Sequence, residues 1–481
     1  MQTNVKGWKH YHTVWLLLLL GWTVSAADRA VTGPIVTWMI ENKVSFLMAA
    51  EHPHALGGLV GSLFFTGYML TQFPGGYYGD RFGHRRIITI SLFVAAITTV
   101  VSGFMSSLIG FVALRVLTGL GEGVYYANDR TLITEVTPFE KRSLGMGVVI
   151  TGLALGVTFA LLLPPYLIRW GNSLLGDGQG WRMVFFAFGI VTLIVAVVVS
   201  ACLKNKSDQA SYRDALIGLG KYNILFFLAI LGVFFIADQA GLPSWGVAVI
   251  ELVLCFMLVG FAYIKKGTEL SKVLRDRSLV IMYIGHIAIL WNLWFFSFWS
   301  VSIISEAANT SFLQAALTAT FNGVAGIIGF PAGGWLADYA LRKNWGRKVV
   351  LVWFILLQGI TTLIFGIYLI NGGKSAFVMG TLIFVASLFF NAMQPIYHAI
   401  IADLSEPNQR GATFGMANLV GEIGAVLSPA VSGTLRDATN SWSPAVFLDA
   451  AIILSFFVLV LFVKERRVAM GQSIHQVIEN R

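Results

Sequence analysis

Charge is what this sequence has least of. Asp, Glu, Lys and Arg make up 12% of its 481 residues, against roughly 25% in a soluble domain. A chain this poor in charge cannot cover itself with a water-facing surface, which excludes a string of soluble domains. Cysteine is nearly absent too. Cys202 and Cys255 alone exclude a disulfide framework or a cysteine-built metal cluster. The longest polar stretches, 204–221 and 464–481, leave no room for a soluble signalling domain. There is no nucleotide loop, no metal-ligand spacing and no nucleophile–base constellation, so neither an enzyme nor a cofactor is expected. What the chain has instead is 56% hydrophobic residues and a mean hydropathy of +0.74. It also has 50 glycines, which suit helices packed closely through small side chains in lipid.

Runs of about 20 apolar residues read as spanning helices. They fall at 13–40, 57–79, 87–107, 110–134, 144–168 and 182–203, then 222–241 and 245–264. A further six lie at 279–304, 312–337, 348–370, 375–402, 411–435 and 443–463. The expectation is therefore an all-α membrane bundle of fourteen spans. Lys6, Lys9 and Ser25-Ala26-Ala27 give the start a signal-peptide look, but the apolar pattern resumes to Ile40, so the first span is read as retained. The formal charge of +9 does not point to nucleic acid, because the basic residues sit in short loops. Arg81, Arg85, Arg86, Lys141, Arg142, Lys265, Lys266, Arg347 and Lys348 all fall on the side of the termini, while the opposite loops hold little beyond Lys43, Arg169, Arg182, Lys374 and Arg436. The positive-inside rule then puts both termini in the cytoplasm of a cell-membrane protein surrounded by lipid. A monomer is expected.

The chain repeats itself. Phe73-Pro74-Gly75-Gly76-Tyr77-Tyr78-Gly79-Asp80 closes the second run, and Phe330-Pro331-Ala332-Gly333-Gly334-Trp335-Leu336-Ala337-Asp338 closes its counterpart; basic clusters follow both. Residues 133–147 likewise repeat at 401–415. Two six-helix halves, 12–204 and 278–467, are related this way. An inserted pair of helices within 205–277 has no counterpart, and 468–481 is a tail.

Gly76-Tyr77-Tyr78-Gly79-Asp80-Arg81-Phe82-Gly83-His84-Arg85-Arg86 resembles the signature loop of the major facilitator superfamily. More narrowly, Tyr68, Gln72, Pro74, Gly75, Gly76, Asp80 and Arg81 are similar in spacing to the second helix of its anion:cation symporters. Asp28-Arg29 resembles a pair in the first helix of that family's sugar-acid members, and Arg115 to Gly123 resembles its fourth. The resemblance implies the two-halved facilitator fold, a conformational gate at Gly76, Asp80, Arg81, Gly83, Arg85, Arg86 and Asp338, and transport of a small organic anion.

The charged residues inside the runs say something by themselves. An Arg, Asp or Glu near the bilayer centre costs about 2.5–3.5 kcal/mol even on permissive scales, so four of them need a shared task or shared partners. Arg115 and Glu122 lie on one helix face about 10.5 Å apart, too far to bridge. Asp28 and Arg29 point about 100° apart and reach different neighbours. On the functional reading Arg29 binds a substrate carboxylate, and Asp28 and Glu122 carry protons, since burial favours a carboxyl's neutral form. Arg115 couples them, and Tyr68 and Gln72 orient the ligand. The competing reading is a static network, with Asp28 paired to Arg115 or Arg29 to Glu122. In the second half Asn391, Gln394 and Tyr397 are expected to line the cavity, with Asn292, Asn322, His398, Asn418 and Glu422 as further polar candidates. The aromatic residues from Trp291 to Trp299 are expected mostly against lipid or other helices. Asp238 and Glu251, in the inserted pair, are read as structural. Proton-coupled uptake of a carboxylate is the leading expectation. A fourteen-helix drug exporter is the alternative, although its Gly-Pro dipeptide is missing from 144–168; a transport-dead receptor is a further one.

Overall fold

The computed structural model describes residues 8–44, 51–138, 142–203, 211–264, 274, 276–405 and 410–464. The side chains of Asp80, Asp238 and Asp338, and the tail beyond Lys464, lie outside the described residues.

Every regular element among the described residues is helical. The first half holds α1 (His10–Glu41), α2 (Pro53–Phe82), α3 (His84–Ser102), α4 (Leu108–Gly123), α5 (Tyr125–Val136), α6 (Arg142–Leu162), α7 (Pro164–Leu175) and α8 (Trp181–Cys202). The inserted pair is α9 (Tyr212–Gln239) and α10 (Ser244–Ile264). The second half holds α11 (Arg277–Ala308), α12 (Phe312–Ala319), α13 (Phe321–Arg342), α14 (Arg347–Ile370), α15 (Ala376–Leu404), α16 (Arg410–Thr439) and α17 (Ser443–Val460). Helix is the only open spanning geometry that satisfies every backbone amide without water. The turns use residues suited to positive φ, with Gly83 at 92° between α2 and α3, and Gly346 at 81° at the matching place before α14.

Among the described residues twelve helices are long and apolar enough to cross a membrane, two fewer than the fourteen expected. The two that fall short are α2 and α10. In α2, glycines and polar residues such as His54 and Gln72 dilute the apolar content. In α10 side chains beyond Leu258 lie partly outside the described residues, and the described stretch Ser244–Leu258 is a shorter apolar helix.

Packing repeats between the halves. α1 lies on α6, α2 on α4 and α3 on α8; the counterparts are α11 on α16, α13 on α15 and α14 on α17. The halves meet along α2 with α16, α6 with α13, and α1 with α11. α9 and α10 pack on the outside of α2, and α10 also reaches α16, so the inserted pair covers one seam between the halves.

Those meetings are closest away from the face that holds the chain ends. There Gly33 presses on the Phe298 backbone, Gly58 on Pro429, Gly433 on His54 and Gly323 on Thr158. Towards the terminal face, Gly147, Gly334 and Gly415 look into open space. The two halves are thus shut at one end and apart at the other.

Of the two settings expected for the aromatic residues, lipid or other helices, the structure has the second: Trp291, Trp294, Phe295, Phe296, Phe298 and Trp299 are all buried. α11 is a central helix enclosed by α1, α16, α17 and α15, so its large rings fill protein interior on every side.

Candidate functional site

Two ion pairs lie side by side in the first half. Arg29 Nε donates to Glu122 Oε2 at 2.9 Å, and Ser25, one turn earlier on α1, donates to the same oxygen at 2.8 Å. Arg29 Nη2 closes the triangle on Ser25 Oγ at 2.8 Å. The Tyr68 ring lies 4.6 Å from the Arg29 guanidinium carbon and the Trp22 ring 5.1 Å, so aromatic faces take up charge that water cannot. Beside this, Arg115 Nη1 meets Asp28 Oδ1 at 3.3 Å. Thr99 donates to that same oxygen at 2.8 Å, and Arg115 Nη2 reaches Ser102 at 3.0 Å. Neighbouring α1 residues therefore serve different partners, as their angular offset requires, and both pairings of the static reading are present at once.

Small residues make this geometry possible. A Cβ on Gly119 would lie 2.1 Å from the Phe64 carbonyl oxygen, and one on Gly123 2.1 Å from that of Tyr68. Glycine at both lets α4 lie against α2, which brings the Tyr68 ring over Arg29. The room at Gly119 is filled by a helix and not by a ligand. Each carboxyl keeps one oxygen in reserve, since Asp28 Oδ2 and Glu122 Oε1 are buried without a hydrogen-bond partner.

The second half answers across the seam. Gln72 Nε2 donates to Glu422 Oε1 at 3.2 Å, and Asn418 Nδ2 donates to Gln72 Oε1 at 2.7 Å and to Glu422 Oε1 at 3.3 Å. Glu422 Oε2 is a third buried oxygen without a partner, and the field of Glu422 reaches Arg29. The other second-half candidates are more occupied. Tyr397 donates its hydroxyl to Met282 O at 2.9 Å and stacks on His286. Asn391 bonds within its own helix, to Ser387 O at 2.7 Å. Gln394 is buried with its Nε2 unpartnered.

The turn between α2 and α3 is knitted to α5. Asn128 Nδ2 donates to Gly75 O at 2.9 Å, and its Oδ1 lies 2.8 Å from His84 Nδ1. Arg86 Nη1 donates to Phe82 O at 3.1 Å, closing the turn, while Arg81 is exposed above the Phe82 ring.

Reasoning from sequence missed several charged residues. Asp129 and Arg130 lie inside the 110–134 run and Asp449 inside the 443–463 run, so charge within an apolar stretch was the signal. Asp129 accepts from Trp22 Nε1 at 2.5 Å, and Asp449 from Asn292 at 2.6 Å. A second cluster joins the halves at the shut end. His54 Nδ1 lies 2.7 Å from Asp437 and its Nε2 3.0 Å from Glu306. Arg436 pairs with Glu306 at 2.9 Å, and Ser305 donates to Glu41. Those residues stand at helix ends, where charge is ordinary in sequence, so only the fold brings them together.

A family model described as the Major Facilitator Superfamily matches residues 18–339 and 282–476. The chain belongs to that superfamily. It is a multi-pass membrane transporter and not an enzyme. Among its relatives, the D-galactonate transporter of Escherichia coli O6:H1 is 25% identical over 416 residues, covering 84% of this chain and 86% of the relative. A probable galactarate/D-glucarate transporter of Bacillus subtilis is 25% identical over 422 residues, covering 84% and 83%. The hexuronate transporter of the same organism is 24% identical over 424 residues, covering 85% of each chain. A bacterial homologue of the human lysosomal transporter Spinster superposes with a TM-score of 0.63 at 18% identity, covering 95% of each chain, which shares the fold.

Proposed function

We propose that this transporter takes up a small organic anion of the sugar-acid class together with protons, by alternating access at the seam between its halves. The observation that carries the reading is the Arg29–Glu122 pair. A guanidinium this buried needs an anionic partner, and Glu122 supplies one only while it is ionised. A substrate carboxylate that takes its place offers the same fork of oxygens. Glu122, displaced from its cation, then favours its neutral form and takes a proton. Charge in the cavity stays balanced through the exchange. Asp28 and Arg115 hold the neighbouring helices and pass on the change of charge, with Asp28 as a second proton acceptor. Tyr68 and Gln72 orient the ligand against Asn391, Gln394 and the Tyr397 ring. The sugar-acid relatives support the substrate class.

The rest follows the same frame. The chain crosses the bilayer fourteen times, with both termini cytoplasmic, as a monomer. α2 supports the count, because its 30 residues span about 45 Å and pack along α4 and α16. The open end is then cytoplasmic. The halves run over 12–204 and 278–467, and the Gly76–Arg86 turn with its counterpart near Asp338 gates the cytoplasmic opening.

Reconstituted protein tests this. An imposed inward proton gradient is expected to drive accumulation of labelled D-galactonate above equilibrium, and Arg29→Ala to abolish saturable uptake. Efflux of a lipophilic cation in place of anion uptake would overturn the reading.

A further inference from the structure

Among the described residues, Arg130 is a cation with no strong acceptor to hold. There its Nη1 donates to the Met146 sulfur at 3.3 Å, a weak acceptor. Its Nε lies 3.7 Å from Asp129 Oδ1, an ion contact too long for a hydrogen bond, and the other Asp129 oxygen is taken by Trp22. Nε and Nη2 are both shielded from solvent without a hydrogen-bond partner among the described residues. An arginine cannot escape this by losing its proton. Those two nitrogens form the side-on fork that matches the two oxygens of a carboxylate.

The surroundings suit an anion in transit. The Trp22 and Tyr126 rings flank the guanidinium carbon at 5.5 and 5.4 Å. Trp22 is the same indole that stands 5.1 Å from Arg29, so one ring links the two cations. Across the seam Arg130 acts electrostatically on His398 of the second half, and 19% of its side chain remains exposed. Arg130, in α5, lies eight residues beyond Glu122 of α4, about 12 Å nearer the open end at helical rise.

We propose that Arg130 is a second carboxylate-binding residue, which receives the transported anion from Arg29 on its way to the cytoplasmic opening. This rests on the anion-uptake reading above. Once protons have loaded and the halves have shut on the outer side, the fork at Arg130 offers the carboxylate a cation one step inward. Glu122 then recovers Arg29 and loses its proton.

The test is sided flux of D-galactonate in proteoliposomes holding protein of one orientation, with half-saturation measured separately from the outer and cytoplasmic faces. Arg130→Gln is expected to raise the cytoplasmic value at least tenfold while changing the outer value less than twofold. Arg130→Lys, which keeps charge but loses the fork, is expected to raise the cytoplasmic value about threefold, again on that side alone. The lysine variant carries the test if the glutamine variant fails to fold. Half-saturation unchanged on the cytoplasmic side, or shifted equally on both, overturns the assignment. Absence of saturable D-galactonate flux in the unaltered protein would instead overturn the uptake reading itself.

Discussion

Arg29 and Arg115 show what a charge deep in this bundle requires. Each is paired with a carboxylate and given hydroxyl partners, because removing one member of a buried pair costs about 3–5 kcal/mol. Asp28→Asn is accordingly expected to lower the melting temperature of purified protein by several degrees, leaving Arg115 with Ser102 and Thr99 alone. Glu251 is the contrast. It is fully buried in α10, and neither of its oxygens has a hydrogen-bond partner. A carboxyl held this way costs more than it returns, so Glu251→Leu is expected to leave the melting temperature unchanged or raise it, with transport within twofold. A fall of more than a few degrees in a thermal-unfolding assay would show that Glu251 has a partner in another state. At this scale the sequence was informative wherever charge interrupts an apolar run, as at Asp28, Arg29, Arg115 and Glu122. It offered the two pairings as alternatives and did not show that both form together, because the partners lie 87 and 93 residues apart.

Elements are held apart or let together by glycine. Gly33 of α1 meets the backbone of Phe298 in α11, where a Cβ would lie 2.3 Å from the carbonyl oxygen; Gly58 of α2 meets Pro429 of α16, with the corresponding distance 2.1 Å. Both contacts join the halves at the shut end. Alanine at either position is expected to prop that end open and shift the population outward. Spin labels placed on the two halves at the outer face should then read a longer distance in the variants than in the parent. An unchanged distance would mean that the closure does not depend on this approach. Helix positions were legible from hydropathy. The burial of the aromatic stripe on α11 was not, since a ring pattern looks the same whether lipid or protein covers it. Of the two runs not counted, α2 loses apolar character to glycine and polar residues, which a run of apolar letters does not weigh.

The whole molecule is held shut at one end by charge as well as by shape. His54 stands in the first turn of α2, ahead of the 57–79 run, between Asp437 and Glu306. Arg436 faces Glu306 from α16, and Glu41 approaches from the end of α1. A neutral imidazole has one N–H to give, so both contacts are satisfied only by the protonated ring. Burial opposes that charge, but the hydrogen bonds to Asp437 and Glu306 outweigh it and the His54 pKa is raised above its ordinary value near 6.5. The sign follows: the latch is complete at a pH below that of free histidine and is lost as the outer pH rises through the raised value. Outward opening is therefore expected to increase with outer pH in the parent and to lose that dependence in His54→Gln, read by the same spin-label distance. Nothing in the sequence marked this cluster, because its members come from four helix ends scattered over nearly 400 residues.

The central claim is that Glu122 exchanges its hold on Arg29 for a proton when the anion binds. Alkalinisation of the outer medium during D-galactonate entry measures it most directly. The account predicts that the parent takes up protons with substrate, whereas Glu122→Gln exchanges labelled for unlabelled anion yet moves fewer protons with each anion, those left being carried by Asp28. Proton movement of parental size in Glu122→Gln would contradict the account.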